Sequence, residues 1–99
     1  MVRINWTKQA VSDLKSIAEY ISKDSKFYAK REVLKIRNAT SILKTFPLSG
    51  KIITEITKSN FREIIQSNYR IIYKIVSTQR IDIITIHHAS RSLPKRKDI

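Results

Sequence analysis

The sequence predicts an α+β domain in which an N-terminal strand and a helical hairpin precede an antiparallel β-meander. Apolar residues recur at helical spacing in the first half, whereas residues 61–91 alternate apolar and polar through three short runs. The chain has 99 residues with 41% hydrophobic content, enough for one core and too few for two. We therefore expect a single domain over residues 1–94 and a short basic tail over residues 95–99.

The first half begins with an alternating run, Val2 to Trp6, which predicts a short strand. Thr7 follows and is suited to cap a helix, because its hydroxyl can accept from a backbone N–H of the first turn. Ser25 is the expected cap of a second helix, which the turn Phe46–Gly50 ends because proline cannot continue it. The apolar stripes of the two helices are Ala10, Leu14, Ile17, Ala18 and Ile21, then Ala29, Val33, Ile36, Thr40 and Leu43.

The second half reads as strands. Ile52–Ile56 is followed by a polar break at residues 58–60, and three strands joined by tight turns then form a meander: Phe61–Gln66, Tyr69–Val76 and Arg80–His88. The last of these is apolar on both faces, which predicts a central position in the sheet. Strict alternation would place Ile84, Ile86 and His88 on one face, and Ile81, Ile83, Thr85 and His87 on the other.

The charge balance indicates an acidic partner or a polyanion. Twenty Lys and Arg face eight Asp and Glu, for a formal net charge of +12, and the excess is equal in the two halves of the chain. No cysteine is present, which excludes disulfides and thiolate metal sites and fits the cytoplasm, and no apolar segment directs export. Gly50 is the only glycine, so no phosphate loop is present, and we expect neither metal nor cofactor.

Arginines near the ends of neighbouring strands are the candidate anion-binding residues. Arg62, Arg70 and Arg91 could converge with one histidine on a phosphate, since the guanidinium fork contacts phosphate oxygens bidentately. The adjacent His87 and His88 must point to opposite faces, so one of them at most can join such a site. A solvated cationic face without catalysis explains the same pattern equally well.

Four short motifs, in order, resemble the RelE/ParE toxin superfamily of bacterial type II toxin–antitoxin modules over residues 2–94. They are the opening strand and helix with Ala10-x-x-Asp13-Leu14-x-x-Ile17, the turn Phe46-Pro-x-x-Gly50, the strand Tyr69-Arg-Ile-Ile-Tyr73, and the ending His88-x-x-Arg91. The resemblance implies a β-α-α-β-β-β fold. It also implies an acidic antitoxin whose C-terminal segment wraps the toxin.

The members of this superfamily fall into branches with different activities. RelE-like members cut mRNA on the ribosome without metal, and by this resemblance Arg70 and His88 would be catalytic. No residue here matches the general base of that branch by its motif, and Glu55, Lys51 and Lys58 are the candidates for that role. Ala89 stands where tyrosine is frequent in that branch.

ParE-like members poison DNA gyrase, and the strand that starts Arg62-Glu-Ile-Ile is similar to that branch, which we therefore favour. A toxin of this kind would use its C-terminal strand and tail. A non-toxic module that binds nucleic acid is a third hypothesis. The candidate binding residues are Arg62, Arg70, Tyr73, His87, Arg91, Lys95, Arg96 and Lys97.

Overall fold

The computed structural model describes residues 1–53, 55–56 and 60–90. Its elements follow the predicted order, and the predicted α+β fold is confirmed. They are β1 (Arg3–Trp6), α1 (Lys8–Ser22), α2 (Lys26–Ser41), a 3₁₀ turn (Ile42–Lys44), β2 (Lys51–Ile52), β3 (Phe61–Gln66), β4 (Tyr69–Ser77) and β5 (Arg80–His88).

The five strands form one sheet in the order β1-β5-β4-β3-β2. β1 runs parallel to β5, and the other pairs are antiparallel, so β3, β4 and β5 form the predicted meander. β5 lies between two neighbours, as its apolar composition predicted. The turn between β3 and β4 places Ser67 in the left-handed region, with φ of 55°.

Both predicted helix caps are present. The Thr7 hydroxyl accepts from the backbone N–H of Ala10 and donates to the carbonyl of Ile83 at 2.8 Å, which ties the start of α1 to β5. Ser25 accepts from the backbone N–H of Tyr28 and so begins α2. Each cap satisfies one backbone donor that would otherwise lack a partner in the first turn of its helix.

The sheet separates two apolar clusters. The larger packs the helical hairpin on one face and contains Ala10, Leu14, Ile36, Ala39, Leu43, Ile71, Tyr73, Ile81, Ile83 and Ile86. We call this side the helix face. The smaller cluster lies on the opposite face and contains Ile53, Phe61, Ile72 and Ile84, with Ile56 packed against it.

The predicted alternation along β5 is wrong at one point. Ile72 pairs with Thr85 while the next residue, Tyr73, pairs with Ile83, so Ile84 is an extra residue in the ladder. An extra residue reverses the side-chain parity of the strand that contains it. Ile83 and Ile86 therefore both join the helix-face cluster, and Ile84 joins the opposite one.

The predicted strand Ile52–Ile56 is also shorter than expected. Among the described residues of this segment, Lys51 and Ile52 pair with β3, whereas Ile53, Glu55 and Ile56 lie outside any strand. Their side chains explain the departure from the ladder. Ile53 and Ile56 pack on the smaller apolar cluster, and Glu55 turns to an arginine on β4.

Candidate functional site

Arg70 and His88, the predicted catalytic pair, lie on opposite faces of the sheet. Arg70 is the cross-strand partner of His87, whereas Tyr69 is the partner of His88. Residues directly opposite each other share a face, and successive residues alternate. Arg70 therefore shares a face with His87, on the side away from the helices, and His88 lies on the helix face.

The Arg70 side chain is buried in a cage of carboxylates. Its two terminal nitrogens donate to the two carboxylate oxygens of Glu55, both at 2.8 Å, and its Nε donates to Glu63 at 3.1 Å. The side chains of Arg70 and Glu63 are only 8% and 6% exposed. These carboxylates, Glu55 first, raise the pKa of Arg70 and outweigh the opposing effect of its burial.

The carboxylates of Glu55 and Glu63 occupy the guanidinium nitrogens that would otherwise contact a phosphate. The Lys51 ammonium lies 3.9 Å from the second oxygen of Glu63, so two cations and two anions give the group no net charge. Glu63 is tolerated at such burial because Arg70 compensates it. Two of the candidate general bases, Glu55 and Lys51, thus belong to this ion-pair cluster. The third, Lys58, lies outside the described residues.

His88 stands beside a hollow of about 610 Å³ on the helix face. The backbone N–H of Ser90 points at the His88 Nδ1 at 3.3 Å, so Nδ1 is an acceptor there and a neutral ring carries its proton on Nε2. The ring of Tyr69 meets the imidazole edge-on. The hollow is lined by Ser16, Ile17, Tyr20, Asn68, Tyr69, His88 and Ser90.

The lining of this hollow combines polar groups with apolar surface, and among the residues that the structure describes it carries no Lys or Arg. Burial raises the pKa of Tyr69, and the nearby carboxylate of Glu32 raises it further. The phenol is therefore neutral at physiological pH. The exposed imidazole is within reach of a ligand in this hollow, yet the hollow supplies no described cation to hold a phosphate.

Tyr73 and Arg62, both candidate binding residues, hold the turn 46–50 against the sheet. The Tyr73 hydroxyl donates to the carbonyl of Pro47 at 2.8 Å and accepts from the Gly50 N–H at 2.9 Å. An Arg62 nitrogen donates to the Gly50 carbonyl at 2.8 Å. Tyr73 is fully buried, which raises its pKa, although the Gly50 N–H and the charge of Arg62 act in the other direction.

Gly50 is required by the closeness of this contact. A Cβ built at Gly50 would lie 2.5 Å from the Tyr73 hydroxyl and 2.8 Å from the backbone carbonyl of Glu63. The absence of a side chain lets the turn approach β3 and β4, and the hydroxyl then pairs with backbone groups that burial would leave unsatisfied. Gly50 of the turn motif and Tyr73 of the strand motif thus contact each other directly.

Two acidic residues that the sequence did not single out as functional, Asp13 and Glu63, hold parts of the fold together. The Asp13 carboxylate accepts from the Thr85 hydroxyl and from the Ile86 N–H, at 3.0 Å for the latter, and so clamps α1 to β5 just after its extra residue. Glu63 anchors Arg70. A signal existed for Glu63, since alternation places it between Phe61 and Ile65 on one face of its strand, beside a strand that contains an arginine, and this indicates a buried ion pair.

Comparison with known proteins identifies the family to which this chain belongs. A family model described as "ParE toxin of type II toxin-antitoxin system, parDE" matches residues 4–93. The chain belongs to the ParE toxin family. It is 30% identical over 91 residues to Toxin RelE2 of Caulobacter vibrioides, a match that spans 92% of this chain and 99% of that one. It is 35% identical over 95 residues to Y4kP of Sinorhizobium fredii, over 94% of each chain.

A solved structure described as the chromosomal ParDE TA system from P. aeruginosa has the same fold. Its TM-score is 0.72 with 19% identity, over 91% of this chain and 98% of that chain. The protein is accordingly a toxin of a type II toxin–antitoxin system, with a cognate antitoxin as its partner.

The remaining candidate residues of the toxin are not all placed. Arg91, Lys95, Arg96 and Lys97 lie outside the described residues, as does the expected boundary between domain and tail. Within residues 1–53, 55–56 and 60–90, no group of three metal-ligating side chains occurs. No helix in that part of the chain is both long and apolar enough to cross a membrane.

Proposed function

We propose that the toxin arrests growth by binding and poisoning DNA gyrase, and that it does not cleave RNA. The observation that supports this proposal is the separation of Arg70 from His88. Arg70 is held by Glu55 and Glu63 on one face of the sheet, while His88 lies on the other. Both target classes are cytoplasmic, so we also propose the cytoplasm as the place of action.

The chemistry of RNA cleavage explains why this separation matters. Without a metal, attack by a ribose 2′-hydroxyl needs a proton acceptor and a cation, both within hydrogen-bond reach of one phosphate. Arg70 could reach a phosphate only by giving up its bidentate contact with Glu55 and weakening its contact with the buried Glu63. A toxin that acts by binding needs no such arrangement.

Two assays of the purified toxin test the proposal. We expect the toxin to inhibit plasmid supercoiling by gyrase and to leave linear DNA, and to leave mRNA on stalled ribosomes intact. His88→Ala should preserve both results, because the imidazole is exposed and its replacement leaves the core unchanged. Ribosome-dependent cleavage that His88→Ala abolishes, with gyrase unaffected, would overturn the proposal.

In cells, the order in which incorporation fails separates the same two targets. Thymidine incorporation should fall before leucine incorporation after induction of the toxin, accompanied by the DNA-damage response. A fall in leucine incorporation first would favour the ribosome.

One observation favours the ribonuclease as the second candidate. The Ser90 N–H points at the His88 Nδ1, and the His88 ring lines a hollow that also contains Tyr20 and Tyr69. In that case His88 would act with cations other than Arg70. Cleavage would then survive Arg70→Met in molecules that remain folded, whereas the Arg70–His88 mechanism requires its complete loss.

A further inference from the structure

The edge of the sheet formed by β1 is open. β1 pairs with β5 on one side, and no other described strand pairs with it. The N–H groups of Arg3 and Thr7 both donate to carbonyls of the β5 side. Backbone groups of a strand point alternately to its two sides, so those of Ile4 and Trp6 point away from β5, towards the open edge.

A small hollow of about 220 Å³ lies at this edge, between β1 and the C-terminal end of α2. Its lining combines two β1 side chains with two cations, and consists of Ile4, Trp6, Arg37, Thr40, Ser41 and Lys44. Arg37 on α2 and Lys44 on the 3₁₀ turn are both exposed. Sites for complete small molecules enclose about 300–1,000 Å³, so this hollow suits one part of a polymer.

The cations at this edge differ from Arg70 and Arg80, which are held by carboxylates. In the part of the chain that the structure describes, no carboxylate lies within ion-pair distance of Arg3, Arg37 or Lys44. The sequence nearby supplies none either, since residues 33–54 contain four Lys and Arg and no Asp or Glu. A surface with charge of one sign attracts a chain of opposite charges.

We propose that this β1 edge binds the phosphodiester backbone of duplex DNA, with Arg37 and Lys44 on two phosphates of one strand. The two residues are seven positions apart, which is about 10 Å along a helix axis. A DNA strand places a phosphate every ~3.4 Å along the duplex axis, so the two side chains can reach different phosphates. The outward N–H groups of Ile4 and Trp6 are further donors, a role that backbone amides take in many protein–DNA contacts.

The lining of the hollow favours DNA over an acidic protein segment. It offers one aliphatic side chain, Ile4, and so provides little for the apolar side chains that a peptide strand would carry. The proposal rests on the proposed function, because the duplex held by gyrase is the DNA that the toxin would meet.

The fluorescence of Trp6 tests the site directly, since Trp6 is the only tryptophan of the chain and lines the hollow. We expect a short DNA duplex to change its emission saturably, with an affinity that falls as salt rises. Arg37→Gln and Lys44→Gln should each raise the Kd by roughly threefold to tenfold at 0.1 M salt. Each should also lower the slope of log K against log salt by about 0.9, because one phosphate contact is lost.

Lys23→Gln is the matched control, because it removes the same charge from an exposed site at the opposite end of the helical hairpin. It should leave the Kd within about twofold of the wild-type value. Equal losses from Lys23→Gln and Arg37→Gln, in variants that circular dichroism shows to be folded, would mean that DNA responds only to net charge and would overturn the proposal. Unchanged Trp6 emission at saturating DNA, or tighter binding of duplex RNA or polyglutamate than of DNA, would also overturn it.

Gyrase assays separate this proposal from the proposed function. The double variant Arg37→Gln/Lys44→Gln should need several-fold more toxin than the wild type to inhibit supercoiling, whereas Lys23→Gln should not. Undiminished inhibition by the double variant would overturn the DNA contact alone. Wild-type toxin that binds DNA at this edge and leaves gyrase active would overturn only the proposed function.

Discussion

The hydroxyl of Tyr73 is the most informative single group to remove. In Tyr73→Phe the Pro47 carbonyl loses its donor at 2.8 Å and the Gly50 N–H loses its acceptor at 2.9 Å, while the ring keeps its volume. A net intramolecular hydrogen bond stabilises by about 0.5–1.5 kcal/mol, and a buried group left unsatisfied costs about 1–3 kcal/mol. Since Gly50 is buried, we expect the free energy of unfolding to fall by about 2–4 kcal/mol.

Urea unfolding followed by circular dichroism measures this change. In a domain of this size, 1 kcal/mol corresponds to about 4–8 °C in Tm, so thermal unfolding should show the same loss clearly. Tyr20→Phe is the matched control, because Tyr20 is 71% exposed and its loss should alter stability by no more than about 0.5 kcal/mol. Equal stability of the two variants would refute the idea that the hydroxyl holds the turn.

Gly50→Ala tests the same contact between the turn 46–50 and Tyr73. Its Cβ would lie 2.6 Å from the Cε1 of Tyr73 as well as 2.5 Å from the hydroxyl, so Tyr73→Phe cannot relieve the clash. We expect destabilisation of about 1–3 kcal/mol from overpacking in either background. A stable Gly50→Ala variant would show that the turn can move away from the sheet at little cost.

Three further predictions concern buried or partly buried ionisable groups. Burial raises the pKa of Tyr73, so the folded state holds its proton more tightly than the unfolded state; stability should fall as pH rises above about 10, and less steeply in Tyr73→Phe, as measured by urea unfolding across alkaline pH. Arg70→Met should cost about 3–5 kcal/mol at pH 7, because it leaves Glu63 buried without its cation. A loss no larger than about 0.5 kcal/mol would contradict the ion-pair role. Asp13→Ala should cost about 1–3 kcal/mol by leaving the Ile86 N–H unpaired, whereas Asp24→Ala, at an exposed site, should be nearly neutral in thermal unfolding.

Local pattern was sufficient for the elements of this fold. The caps Thr7 and Ser25, the helical stripes and the three-strand meander follow from side-chain periodicity and turn chemistry, which act over a few residues. The errors arose where contacts between distant segments override the local pattern. The extra residue at Ile84 reverses the faces of β5. Glu55 pairs with Arg70, and Ile53 and Ile56 pack on the smaller apolar cluster, so these three residues lie outside the sheet.

The candidate site was harder to predict, for a related reason. The sequence reasoning grouped Arg62, Arg70 and a histidine by their places at the ends of neighbouring strands. Strand position does not say whether a guanidinium meets solvent or a carboxylate. Arg70 meets Glu55, fifteen positions earlier, and Arg62 meets the carbonyl of Gly50, so each cation is engaged within its own fold. One part of the site prediction is confirmed. Because adjacent residues of a strand point to opposite faces, His87 and His88 were expected on opposite faces, and the strand pairing places them there.

The motifs that relate the toxin to its superfamily therefore report the fold more than the target. Asp13 of the helix motif clamps α1 to β5, Gly50 and Tyr73 join the turn to the sheet, and Arg70 balances two carboxylates. A protein that kept all of these contacts could act on gyrase or on the ribosome with the same core. What distinguishes the targets must then lie on exposed surface, where side chains vary at little cost to stability. His88 and Phe46 are described motif residues on that surface. His88→Ala is therefore a test of chemistry, while substitution of the buried motif residues tests folding first.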